Sequence, residues 1–548
     1  MVWACRPTCP SSAEAVALYR QGLELATAPA GQPRRADLLL GLGEAHTRSG
    51  DFEGAVDSFR AAAETALAAG SPLLAAQAWR RLGGVRWRQE QVLDARVAFE
   101  RALELIADSA EAEAAETLLQ LADLLALSMG RHAEAERCVT RALAIVERLA
   151  DDRLTALASR AMGTVRFRAN RLAEGRAHLE HALDLALRCD DLALAAEICG
   201  HLASASGFAG DVVRSREVTL LRRDLAIRSG DPFLLRHVAT WLGVIAVFQG
   251  RWADVEAQLA EAEPDVERVD SPEPQAFLQV LRGLLAYYTG DLNAALARFA
   301  AAQASMRPLG SNAGLWFNGW PGMVLVELGR PADALSDFLQ LHALTDQRDA
   351  SDSVNAYAYS QLIHGYHALG ERDRAAACYA RLLPFAGQVQ CFVVDRALGV
   401  AAACGGDVER GLRHLGEAVA LGERADLRPE LTLSLLQLGC LQRALGRAAA
   451  SDSIERGVGL AGELGMLRLA RAVLERGLRP ATPRPSGLSR RQAEVLRLVA
   501  QGRTNREIAA ALVLTEGTVA NHVTAVLAKI GADNRAAAVA YAVRHGLA

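Results

Sequence analysis

Turn-forming residues recur along this chain at an interval close to 40, and that spacing restricts the fold more than any other feature. They stand at Gly50, Glu90, Gly130, Asn170, Gly210, Gly250, Gly290, Gly329, Gly370, Gly406 and Gly446. Most steps are 40 residues, with single steps of 39, 41 and 36. Nine of the eleven are Gly and one is Asn, residues that accept the positive φ of a tight turn between helices. Seven residues before the turn a small residue is usual: Gly43, Gly83, Gly163, Ala203, Gly243, Gly283, Gly322, Gly399 and Gly439. Asp123 and Ile363 are the exceptions. Nine after it a large apolar residue is common (Phe59, Phe99, Leu179, Phe299, Phe338, Tyr379, Leu415), and twelve after it a small one (Ala62, Ala102, Ala142, Ala182, Ala262, Ala302, Ala418). Small residues let two helices approach, and the large one fills the space between neighbouring pairs. The pattern predicts an all-α body over 11–476, a helical hairpin repeated eleven times, and 51% hydrophobic content is ample for its core.

The order of Gly, Ala and aromatic positions resembles the tetratricopeptide repeat. A period of 40 in place of about 34 requires longer helices or loops, as in MalT-like regulator repeats. The resemblance implies a right-handed superhelix with a concave groove; an irregular helical solenoid is the alternative. Counting back 40 from Gly50 reaches Pro10, with Ala15, Tyr19 and Gly22 at second-helix positions, after a frayed stretch at 1–10. The first hairpin therefore has only its second helix. Either that helix caps the stack or the chain descends from a longer ancestor, and the second is expected.

Residues 488–548 have a different character. Ser489 with Gln492 and Thr504 with Glu507 fit the reciprocal capping box, and Thr515 can cap a third helix that Gly531 ends. Only Val513, Leu514 and Thr515 separate the second helix from the third, so the pair predicts a helix-turn-helix whose second helix enters the major groove. Val519, Val523, Val526, Leu527 and Ile530 should pack inward, leaving Glu516, Ala520, Asn521 and Thr524 outside. An ordinary small bundle with a solvated face is the competing reading.

The segment is similar to the LuxR-type helix-turn-helix along its full length. The matching residues are Glu494-Val495-Leu496, 502–509, 518–522, 534–539 and Gly546-Leu547. The resemblance implies a four-helix domain on double-stranded DNA, with the last helix, about 535–545, pairing two copies as a homodimer. It implies base reading by Ala520, Asn521 and Thr524, where Ala520 replaces the usual lysine and offers only a methyl contact. Arg503, Thr504, Asn505, Arg506, Thr515 and Thr518 are expected to touch phosphates, which position without specifying. An activating role, with RNA polymerase as a partner, is likewise implied by the family.

Charge follows the same division. From Leu488 onward eight Lys or Arg face four Asp or Glu, a formal +4, against −8 for the rest of the chain. A basic tip on an acidic body suits a protein that touches DNA at one end. Lys529 is the only lysine, so no phosphate-binding loop of the GxxxxGK(S/T) kind exists. The chain thus resembles a large ATP-binding LuxR-family regulator without its NTPase domain. Residues 477–487, with Pro480, Pro483 and Pro485, are expected to form a semi-rigid spacer.

Other leads are weaker. Residues 457–462 satisfy GxGxxG, but they fall on a predicted helix with no strand before them. His178 with His181, and His364 with His367, lack further metal ligands at familiar spacing, so neither metal nor cofactor is expected. Nine scattered cysteines without CxxC, and no apolar signal segment, predict a reducing cytoplasm and no membrane partner, and a single lysine beside many Arg and Ala points to a high-GC, bacterial genome. No nucleophile or paired-carboxylate setting predicts an enzyme. His237, Phe248, Phe277, Tyr287, Tyr288, Trp316, Tyr357, His364 and His367 concentrate on the repeats ending at Gly250 to Gly370. They either line a groove for an effector or protein, or fill the superhelix interior. The expected function is a transcription regulator with a sensing repeat body; the alternative is an interaction scaffold with a vestigial DNA-binding tip.

Overall fold

All nine turn glycines take the left-handed conformation, with φ between 65° and 99°, and Asn170 joins them at 64°. In four of the turns an aspartate follows the glycine and caps the next helix. Asp51, Asp211, Asp291 and Asp407 accept from the backbone N–H three residues on, at 3.0–3.1 Å. The glycine ends one helix and the aspartate begins the next. This Gly-Asp pair is a repeat signal in the sequence that spacing alone did not bring out.

The computed structural model describes residues 12–25, 32–89, 91–106, 112–230, 232–235, 237–268, 272–306, 316–345, 351–390, 392–480, 488, 490–512 and 514–544. The expected frayed stretch at 1–10, the turn at Glu90 and the cap at Ser489 lie outside them. Among the described residues the helices pair into eleven successive hairpins. They run from Gln32–Ser49 with Phe52–Ala68 to Arg428–Ala444 with Ala450–Glu463. Ser12–Leu25 precedes them and packs on the first, and Leu467–Arg476 follows the last. The described residues contain no strand, only an isolated bridge between Val389 and Val393. The glycines at 457, 459 and 462 sit on the helix Ala450–Glu463, as expected of a motif without its strand.

Within a hairpin the small and large positions meet. A Cβ on Gly43, Gly83, Gly283 or Gly322 would lie within 2.9 Å of the ring of Phe59, Phe99, Phe299 or Phe338. Gly163 and Gly399 stand in the same relation to Leu179 and Leu415. The large residue thus lies against its own hairpin as well as filling the expected gap between pairs. Phe59 also clusters with Leu82 and Val85 of the next hairpin.

The exceptions have visible causes. Asp123, at a small-residue position, is buried and accepts from Arg160 Nη2 at 2.6 Å, and a π-helical turn, Leu124–Ser128, follows it. Burial opposes the Arg160 charge, but Asp123 and Glu197 outweigh it and hold its pKa above the ordinary value. The 36-residue step arises because the second helix of the ninth hairpin breaks into Arg372–Ala377 and Tyr379–Leu382. A 3-10 turn, Leu383–Phe385, follows with Pro384 in it, and the chain then leaves the helix.

That break feeds a loop into the concave side. Val389 N–H donates to Phe208 O at 2.9 Å, and Asn170 Nδ2 donates to Pro384 O at 2.7 Å. Gln388 donates to Asn170 Oδ1. Nearby, Ser353 N–H donates to Arg168 O at 3.0 Å, and Trp252 Nε1 donates to Leu464 O at 2.9 Å. Repeats around 168–252 therefore touch repeats around 352–464, so the expected open groove is occupied there by the protein itself. The one asparagine among the turns spends its side chain on this closure.

Candidate nucleic-acid interface

The C-terminal module consists of four helices, Arg490–Ala500, Asn505–Leu512, Glu516–Ile530 and Arg535–Arg544. Its core is Leu488, Val495, Leu496, Val499, Ile508, Ala509, Val519, Val526, Ala538 and Ala542, with Val523, Leu527 and Ile530 packed on it. The inward face expected of the third helix is the one observed. The second and third helices meet at 107°, inside the range of a helix-turn-helix.

Local chemistry fixes each end. Glu507 N–H donates to Thr504 Oγ1 at 3.3 Å, while Thr504 N–H donates to Glu507 Oε2 at 2.7 Å, so the capping box closes in both directions. Those bonds from Thr504 hold the Glu507 carboxyl below its usual pKa. Thr515 caps the third helix by accepting from Thr518 N–H at 3.2 Å, and its hydroxyl lies 2.8 Å from that of Thr518. Gly531, at φ 64°, ends the helix. Gln492 accepts from Lys529 Nζ at 2.9 Å, which ties the first helix to the third.

The outward face of the third helix carries Glu516, Ala520, Asn521 and Thr524, all exposed. Asn521 has no hydrogen-bond partner among the described residues, so its amide is left to an outside acceptor or donor. Thr524 Oγ1 donates to Ala520 O at 3.0 Å, which leaves its methyl and a lone pair facing outward. Arg503 and Arg506 are exposed beside this face and form no ion pair among the described residues. Asn505 is placed differently from the other expected phosphate contacts. It is half-buried, and its Oδ1 accepts from Arg535 Nη1 at 3.0 Å; Arg535 also donates to Arg503 O. Arg535 thereby braces the fourth helix to the start of the second, a role the sequence reading did not assign.

The spacer starts later than its prolines imply. Leu478 is buried, Gly477 O accepts from His367 Nε2 at 3.1 Å, and Arg479 O accepts from Arg372. Residues 477–480 are thus fastened to the repeats, while 481–487 lie outside the described residues.

The aromatic residues do not share one open groove. His237, Phe277 and Trp316 form a half-buried run of rings with centroids 5.3 and 4.4 Å apart. Tyr357 stacks edge-on against Phe208 at 5.6 Å, and Phe248 packs with Val389 and Val393 of the inserted loop. Tyr287, Tyr288, His364 and His367 gather around one cavity. Phe248, Tyr287, Tyr288, Tyr357 and His364 are buried, and the other four are half-buried. Among the described residues no single helix is long and apolar enough to cross a membrane.

Comparison with known proteins follows the same division. Residues 486–542 match the family described as bacterial regulatory proteins, luxR family, and residues 74–148 and 113–188 match the tetratricopeptide repeat. The C-terminal module is a luxR-family helix-turn-helix domain, and the body before it carries tetratricopeptide repeats. The transcriptional regulatory protein YhcZ of Bacillus subtilis is 45% identical over 60 residues, 11% of this chain and 28% of its own. A candidate HTH-type transcriptional regulator of Mycobacterium tuberculosis, Rv0890c, is 26% identical over 418 residues, 67% of this chain and 46% of its own. The chain spans about a quarter to just under half the length of the curated relatives it matches. Among solved structures, the APC/C hetero-tetramer Cut9-Hcn1 aligns with 97% of this chain and 93% of its own at a TM-score of 0.52. At 14% identity that likeness concerns the fold alone.

Proposed function

We propose that the chain is a bacterial DNA-binding transcription regulator whose repeat body receives an effector and controls how two C-terminal modules meet a duplex. The observation that carries this reading is the outer face of the third helix. It holds an Asn521 amide with no hydrogen-bond partner among the described residues, between the small Ala520 and Thr524, with Arg503 and Arg506 exposed in the same module. A face without bulky apolar groups can lie in the major groove, where Asn521 reads adenine and Ala520 or Thr524 touches a thymine methyl. Arg503, Arg506, Thr504, Thr515 and Thr518 contact phosphates, and Asn505 contributes only through the amide nitrogen that Arg535 leaves uncommitted.

Two copies pair through Arg535–Arg544, so the operator has two half-sites about 34–36 Å apart or a multiple of that. The regulator acts in the cytoplasm, as an activator that engages RNA polymerase. Its relatives named as transcription regulators, and its tetratricopeptide repeats, support a non-enzymatic role.

Selection from random DNA with the full chain, followed by affinity measurement across a salt series, tests the proposal. A regulator enriches a two-part site and loses affinity with a log–log slope of roughly −0.9 per phosphate contact. A scaffold with a vestigial tip, the reading that Ala520 favours, enriches no sequence and shows no such slope.

A further inference from the structure

The cavity that gathers Tyr287, His364 and Phe392 lies deep in the superhelix, against the helix Leu467–Arg476, and encloses about 50 Å³. One side of it is an ionic cluster. Arg396 pairs with Glu430 (Nη2 to Oε1, 2.9 Å), and Arg468 and Arg476 share Glu327 at 3.2 and 2.8 Å. Of these groups Arg396, Arg476 and Glu327 line the cavity, and both carboxylates are committed; Glu430 also accepts from Val393 N–H at 2.8 Å. The Arg396 and Arg476 guanidinium groups bring N–H donors to this wall, as an anion requires.

His364 supplies the second observation. It is 4% exposed, and its Nδ1 lies 3.5 Å from Arg396 Nη1. A guanidinium can only donate, so Nδ1 accepts and the imidazole proton sits on Nε2. Burial first, then the charge of Arg396, keeps the ring neutral. His364 Nε2 has no hydrogen-bond partner among the described residues, although the ring lines the cavity. It is a buried donor without an acceptor, a costly state that a ligand oxygen relieves. His367 is not equivalent, because its Nε2 already donates to Gly477 O. Apolar side chains, among them Phe392, Leu433 and Val473, complete the lining together with the tyrosines.

We propose that this cavity binds a short-chain carboxylate, whose oxygens accept from His364 Nε2–H and face Arg396 and Arg476 while its tail packs on Phe392 and Leu433. The volume corresponds to roughly three to five water-sized groups, the size of acetate or propionate. Assigning the carboxylate as an effector rests on the sensing role proposed above; its binding does not.

Calorimetric titration of the full chain, without DNA, with propionate, n-propanol and n-propylamine at equal ionic strength tests the assignment. Propionate should saturate at one per chain, with the neutral and cationic analogues at least about tenfold weaker, as expected for hydrogen bonds to a charged group. His364→Ala should weaken propionate by about tenfold or more while the far-ultraviolet spectrum stays unchanged. Should that variant unfold, the three ligands on the unaltered chain still decide. Equal binding of propanol overturns the ionic recognition, and unaltered affinity in a folded His364→Ala overturns the location. No saturable binding of acetate, propionate or butyrate at millimolar concentration overturns the site. None of these outcomes depends on the DNA-reading module, so a failure here and a failure of the regulator reading are separately visible.

Discussion

Gly283 and Phe299 show how little room the repeat leaves at a single residue. A Cβ on Gly283 would sit 2.8 Å from the Phe299 ring, inside ordinary contact distance. Gly283→Ala gains helix propensity but forces the ring to move, and the overpacking term is the larger. We expect a net loss of about 1–3 kcal/mol by urea denaturation, partly restored when Phe299→Leu is added. The same scale governs sequence reading by Asn521. Asn521→Ala should cost ~1–3 kcal/mol at its cognate base and relax specificity there, whereas Arg506→Ala should weaken all sequences alike and lower the salt slope by about one. Binding to a panel of single-base operator variants separates the two; retained discrimination after Asn521→Ala would falsify its assignment as reader. The glycine pattern was visible in the sequence because only a residue without a Cβ fits those contacts. The uncommitted state of Asn521 was not, since a free amide and a bonded one are spelled alike.

At the scale of elements, the helices and their turns followed from local rules, and departures followed from distant partners. Asp123 breaks the small-residue register because Arg160, 37 residues on, is buried beside it. Removing its carboxylate leaves that guanidinium with only the half-exposed Glu197 at 3.5 Å. Asp123→Ala should therefore cost about 3–5 kcal/mol, and Glu197→Ala no more than about 1 kcal/mol. Comparable urea midpoints for the two variants would show that the pair is not what holds this turn. Likewise Arg535 and Asn505, 30 residues apart, join the ends of the reading module. The capping box at Thr504 and the cap at Thr515 were legible because capping joins residues only three positions apart. The Arg535 brace was not, because nothing local distinguishes a bracing arginine from a solvated one.

At the scale of the whole molecule, the superhelix closes on itself, and closure buries groups that would otherwise titrate in water. Burial, then Arg476 and Arg372, push the His367 pKa down to about 4, and burial with Arg160 does the same for His201. Both are neutral in the fold, whereas in the unfolded chain they take up protons near pH 6.5. The unfolded state then binds more protons between about pH 6.5 and 4, so stability falls as pH drops through that window. A loss of about 2–4 kcal/mol between pH 7 and 4.5 is expected from urea titrations, with a flatter profile for His367→Gln. An identical slope in that variant would locate the effect elsewhere.

The sequence by itself determined the period, the hairpins, the turn glycines and the outward face of the third helix. Each of these depends on residues within about one helical pair of one another, where spacing translates directly into contact. Only the tertiary structure decided that the concave side is occupied, that Asn170 reaches Pro384, and that His364 stands beside Arg396 with an unanswered donor. Those contacts join repeats brought together by the accumulated curvature of the stack. Curvature is a sum of small rotations that no single repeat encodes.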